Sequence, residues 1–97
     1  MSAGGWWVYV LRCADGSLYT GITNDLASRL AVHNAGRGAK YTRARRPVAL
    51  AWSKGRQSPT DARRIEYALK TLTRDDKLRL VAGDLALWRR VRRAACG

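Results

Sequence analysis

The chain has 97 residues, of which 46% are hydrophobic, enough for one compact domain with its own core and for little else. Nineteen Lys and Arg against seven Asp and Glu give a formal net charge of +12, an excess that draws a folded domain to polyanions, nucleic acid first and an anionic membrane surface second. Aliphatic and aromatic side chains run along the whole length, which excludes a disordered basic tail.

Trp6 to Arg12 (WWVYVLR) is aromatic and β-branched and predicts a strand. Ala14-Asp15-Gly16-Ser17 is a turn signal, and Leu18 to Ile22 (LYTGI) predicts a second strand, so the pair reads as a hairpin. Gly21 inside that strand marks a bulge or a close backbone approach. Thr23-Asn24-Asp25 supplies N-cap residues for a helix from about Asp25 to Ala35, ended by Gly36. Its Leu26, Leu30 and His33 recur at i, i+4 and i+7, with Arg29 beside them. Gly36 to Arg46 (GRGAKYTRARR) reads as a basic loop, and Pro47 to Ser53 as a third strand with Pro at its start.

Ser58-Pro59-Thr60-Asp61 is a helix start, with Ser at N-cap and Pro at N1. That helix runs to about Leu72, burying Ala62, Ile65, Leu69 and Leu72. Thr73, followed by Asp75 and Asp76, caps a further helix that Gly83 interrupts, and Asp84 to Ala95 reads as a last short helix. The expected order is β-β-α-β-α-α. This is an α+β fold with a small, mainly antiparallel three-stranded sheet flanked by helices, one domain over residues 1–97.

Cys13 and Cys96 lack Cys-x-x-Cys spacing, and the single His completes no usual zinc pattern with them. Both thiols are expected to be reduced and non-catalytic, in a cytoplasmic protein. No apolar run approaches the length of a membrane span, and the N-terminal stretch carries no basic n-region before an apolar segment.

Four predicted elements each place reactive side chains on or beside an apolar face: Tyr9, Tyr19, the pair Arg29 and His33, and Glu66. These types suit phosphodiester chemistry. Glu66 can hold a hard cation such as Mg²⁺, which takes few protein ligands and keeps several waters. Arg29 offers a planar, permanently charged fork to phosphate. A tyrosine beside the metal can orient or deprotonate water, and His33 can take or relay the proton. Each also has an ordinary structural reading: strand packing for the tyrosines, an i, i+4 pair with Asp25 for Arg29, a core-edge histidine for His33, and a solvated pair with Lys70 or Arg63 for Glu66.

Trp7-Val8-Tyr9 and Tyr19-Thr20-Gly21 lie about ten residues apart, with Arg29 about ten further on, His33 four after it and Glu66 on a later helix. In this order and spacing the chain resembles the GIY-YIG nucleases over roughly Trp6 to Leu80, and Lys40-Tyr41-Thr42 is similar to their small stand-alone bacterial branch. The resemblance implies a metal-dependent endonuclease acting on nucleic acid, DNA before RNA, in repair or recombination. It implies Tyr9 and Tyr19 as nucleophile-activating tyrosines, Arg29 on phosphate, His33 assisting, and Glu66 as ligand to Mg²⁺ or Mn²⁺. The chain departs from the family name at Trp7, where Gly is usual, and at Thr20, where Ile is usual. Ile22 also stands where some relatives carry Lys.

A shared tyrosine site carries a geometric condition. A two-residue Asp15-Gly16 turn would put Tyr9 and Tyr19 on opposite faces of the sheet. An odd loop, or a bulge near Gly21, puts them on one face and is therefore expected. Arg37, Lys40, Tyr41, Arg43, Arg45 and Arg46 are the candidate nucleic-acid contacts, and Arg89, Arg90, Arg92 and Arg93 crowd the last helix. The two clusters are expected to flank one cleft. DNA shape, a homodimer or a protein partner is the expected source of specificity, with no membrane. The competing functions are an inactive nucleic-acid-binding module and an adaptor docking through the basic C-terminal helix.

Overall fold

The computed structural model describes residues 5–97; of the domain read over 1–97, residues 1–4 lie outside the described residues. Strands β1 (Trp6–Arg12), β2 (Leu18–Thr23) and β3 (Ala49–Gln57) form one antiparallel sheet in the order β2-β1-β3. Helices α1 (Leu26–Asn34), α2 (Lys40–Arg43), α3 (Pro59–Lys70), α4 (Arg74–Val81) and α5 (Leu85–Cys96) surround it. The α+β class and the antiparallel sheet are those expected. Among the described residues, no helix is long and apolar enough to cross a membrane.

The central strand is apolar on both faces, so both faces are covered. Val8 and Val10 pack with Ala62, Ile65, Leu69, Leu80, Leu87 and Val91 from α3, α4 and α5. Tyr9, Leu11 and Cys13 point the other way, into a second cluster with Val48, Tyr19, Leu26 and Leu30. Each fully buried aliphatic side chain contributes about 1.5–3 kcal/mol relative to exposure. Tyr9, Tyr19 and the helix carrying Arg29 and His33 thus belong to the smaller of two cores, whereas Glu66 stands on α3, which packs into the larger.

The hairpin meets the parity condition. Cys13 N–H donates to Ser17 O at 2.9 Å and Gly16 N–H to Cys13 O at 2.9 Å, closing a three-residue loop, Ala14-Asp15-Gly16. Gly16 takes a positive φ of 84°, which this loop type needs. The register sets Tyr9 opposite Gly21 and Leu11 opposite Tyr19, so odd-numbered residues of both strands share a face.

Helix starts follow the predicted caps. The Asp25 carboxylate accepts from Ser28 N–H at 3.2 Å, Ser58 Oγ from Asp61 N–H at 3.0 Å, Thr73 Oγ1 from Asp76 N–H at 3.1 Å and Asp84 from Leu87 N–H at 3.0 Å. Each cap is worth about 1 kcal/mol.

Three boundaries differ from expectation. The third strand begins at Ala49 rather than Pro47, because the Asn34 side chain occupies both backbone groups of Val48, at 3.0 and 2.8 Å. It then continues through Gln57, with register shifts against β1 that absorb the extra residues. The basic stretch contains helix α2; Gly83, at φ +98°, separates α4 from the last helix α5 where the interruption was expected. The element order is therefore β-β-α-α-β-α-α-α.

Candidate active site

Tyr9 is the hub of the tyrosine face. It is 2% exposed, and its Oη lies 3.0 Å from Nε2 of the fully buried His33. On the other side of the imidazole, Nδ1 lies 2.8 Å from Thr42 Oγ1, and that hydroxyl lies 2.9 Å from the Ala39 carbonyl. Two glycines make room for this row. A Cβ on Gly21 would stand 2.5 Å from Tyr9 Oη, and one on Gly38 would fall on His33 Nδ1. Gly21 is thus required by close approach of a side chain, not by its own backbone angles.

Tyr19 is half-buried, its ring edge-on to His33 at 5.4 Å and stacked on Tyr41 at 6.0 Å. Arg29 stands half-buried beside the Tyr9 phenol. Its expected alternative partner, Asp25, instead caps α1 through Ser28. Glu66 acts on the same phenol from α3, which packs against β1 and β2. Tyr9 and Tyr19 thus meet His33 directly, and the charges of Arg29 and Glu66 act on the Tyr9 phenol.

The electrostatics follow from burial. Desolvation pushes the Tyr9 pKa up; the Arg29 guanidinium opposes this, while Tyr19 and Glu66 add to it. Burial, and then the Arg29 charge, push the His33 pKa down, so the imidazole is neutral at neutral pH.

Glu66 is half-buried, with Lys70 Nζ 3.5 Å from its carboxylate in the i, i+4 pair expected as its ordinary reading. A pair this exposed is worth little and leaves the carboxylate available. Among the described residues, no group of three or more His, Cys, Asp or Glu could together hold a metal. Both His33 nitrogens already face hydroxyls. A lone carboxylate does not fit a metal caged by protein ligands. It does fit Mg²⁺ or Mn²⁺ held mainly by water and phosphate oxygens.

The basic loop divides. Arg37, Lys40 and Arg43 are exposed, and Tyr41 is 39% exposed. Arg45 instead pairs with Asp15 at 3.1 Å, donates to Tyr41 O at 2.8 Å and lies 3.9 Å over the Tyr41 ring. Arg46 donates to Arg43 O at 2.9 Å and Asn34 O at 3.4 Å. These two arginines hold the loop against α1 and the hairpin. The expected single cleft between two arginine clusters is not formed: the loop lies on the tyrosine face, whereas α5 packs on the Val8 and Val10 face. Arg92 is also turned toward Asp61, at 3.8 Å.

Sequence reasoning assigned no site role to Thr42 or Gly38. The available signal was the Lys40-Tyr41-Thr42 stretch, which places Thr42 nine positions after His33.

A profile described as the GIY-YIG catalytic domain matches residues 5–79. A UPF0213 protein of Staphylococcus haemolyticus is 48% identical over 75 residues, spanning 77% of this chain and 92% of that protein. A Staphylococcus aureus UPF0213 protein is 49% identical over 74 residues, 76% of this chain and 90% of its own. The solution structure of a UPF0213 protein from Bacillus halodurans is 45% identical, with a TM-score of 0.53, covering 79% of this chain and 82% of that one. An E. faecalis solution structure is 38% identical, with a TM-score of 0.57, covering 84% and 88%. This chain therefore belongs to the GIY-YIG family, alongside the small UPF0213 proteins.

Proposed function

We propose that this protein is a metal-dependent endonuclease that hydrolyses phosphodiester bonds of nucleic acid, DNA before RNA, with a role in repair or recombination. The observation that carries this reading is the buried Tyr9–His33 pair, ringed by Arg29, Tyr19 and Glu66. A packing tyrosine does not need a neutral, fully buried imidazole at its hydroxyl.

Arg29 binds the phosphate and neutralises charge that builds up on its oxygens. Glu66 would hold the divalent ion, Mg²⁺ or Mn²⁺; when bound, that ion polarises the phosphoryl oxygen and stabilises the leaving oxygen. Tyr9 Oη takes a proton from the attacking water as its own proton passes to His33 Nε2. Because Tyr9 is 2% exposed, that water is one admitted with the substrate, not bulk solvent. Tyr19 closes the wall between His33 and Tyr41. Arg37, Lys40 and Arg43, all exposed, contact phosphates flanking the scissile one in this reading, without reading bases.

Single-turnover cleavage assays on nicked, branched and single-stranded DNA, and on RNA, test this. Tyr9→Phe and Arg29→Ala should each remove cleavage while leaving binding largely intact. Cleavage at the wild-type rate by Tyr9→Phe would remove the phenol from the reaction.

A further inference from the structure

The row of hydrogen bonds through His33 has a direction. Thr42 is fully buried, and its hydroxyl carries one proton. With that proton on the Ala39 carbonyl, 2.9 Å away, Oγ1 can only accept from His33 Nδ1 at 2.8 Å. Nδ1 then carries the imidazole proton, and Nε2 presents a lone pair to Tyr9 at 3.0 Å. Gly38 leaves room for the ring where any side chain would overlap Nδ1.

We propose that Thr42 is a positioning residue for the reaction: its hydroxyl, anchored on the Ala39 carbonyl, fixes the His33 tautomer with the proton on Nδ1 and so keeps Nε2 bare to receive the Tyr9 proton. Its role in catalysis rests on the nuclease reading above. The tautomer it sets does not. In the relay, the water O–H bond breaks as a bond forms to Tyr9 Oη. The Tyr9 O–H bond breaks as Nε2 gains a proton, and the resulting imidazolium keeps its Nδ1–H on Thr42. Without the Thr42 acceptor, a neutral His33 favours Nε2–H, and that nitrogen can no longer take a proton. The anchor belongs to α2, a one-turn helix, so the loop after α1 reaches the His33 ring through the Thr42 hydroxyl.

The chain has one histidine, so its ¹⁵N long-range correlation spectrum reports this tautomer without ambiguity. The wild type is expected to show a protonated Nδ1 and a bare Nε2 at neutral pH. Thr42→Val, of nearly the same shape, should shift the population toward Nε2–H and lower kcat about a hundredfold with KM unchanged. Thr42→Ser should restore both. Tyr9→Phe should keep the wild-type tautomer, because Thr42 and not Tyr9 sets it; this variant decides the question even where Thr42→Val fails to fold. An Nε2–H wild type, an unchanged tautomer in folded Thr42→Val, or a switched tautomer in Tyr9→Phe would each overturn the assignment. A wild type that cleaves no substrate overturns the catalytic role alone, and the spectrum still decides the tautomer.

Discussion

The Tyr9 hydroxyl and His33 Nε2 meet at 3.0 Å between residues 24 apart in sequence, one on the central strand and one on the first helix. Both are buried, so each satisfies the other's polar atom. Tyr9→Phe leaves Nε2 without its partner and should cost about 1–3 kcal/mol in urea unfolding. Tyr19→Phe, with no hydrogen bond to its hydroxyl among the described residues, should change stability by only about 0.5 kcal/mol. Equal losses for the two variants would contradict the buried-pair account.

Gly21→Ala tests the close approach that lets Tyr9 reach His33. A Cβ there would stand 2.5 Å from Oη and 2.6 Å from Cζ of a ring with no room to retreat. Destabilisation of about 1–3 kcal/mol is expected, with loss of the Tyr9 hydrogen bond in the His33 spectrum. Unchanged stability and an unchanged spectrum would show that the ring is not confined as described.

The depressed His33 pKa makes stability depend on pH in a stated direction. The folded state resists protonation because of burial and then the Arg29 charge; Tyr9 and Tyr19 face the same ring. The unfolded chain therefore binds more protons just below its own pKa of about 6.5. The His33 contribution is fully present above that value and is lost as pH falls through it toward the lower folded pKa. Urea midpoints should fall from about pH 7 to about pH 5.5, and His33→Gln should flatten that segment. A wild-type midpoint that rises on acidification would reverse the sign and refute the account.

The elements legible in the sequence were those with periodic patterns and caps. WWVYVLR, the Ala14-Asp15-Gly16 turn, the Asp25, Ser58 and Thr73 caps, and the 62-65-69 stripe all stand where their chemistry places them. The parity linking Tyr9 to Tyr19 was legible as a condition on loop length, and the loop meets it. Helix α2 was not legible, because one turn with no side-chain cap in a run of arginines has no period to read. The work of Thr42 was hidden for the same reason: its value comes from His33, nine residues earlier, across a loop whose path no local pattern encodes. Pro47 misplaced the third strand because Asn34, a tertiary partner, claims Val48 first.

Phosphate binding on the tyrosine face should appear in the salt dependence of nucleic-acid affinity. Replacing Arg37, Lys40 and Arg43 by Ala should lower the slope of log affinity against log salt by about one for each phosphate these side chains neutralise. The same change at Arg89, Arg90 and Arg93, on the opposite face, should lower it less. A larger effect from α5 would move the binding surface to the other side of the sheet.

Cleavage in the presence and absence of Mg²⁺ or Mn²⁺, by the wild type and by Glu66→Ala, tests the central claim most directly. The wild type is expected to cut at least one of the nicked, branched, single-stranded or RNA substrates, and only with the ion. Glu66→Ala is expected to bind that substrate and leave it intact. Cleavage that survives Glu66→Ala, or a wild type that cuts none of the substrates with either ion, would contradict it.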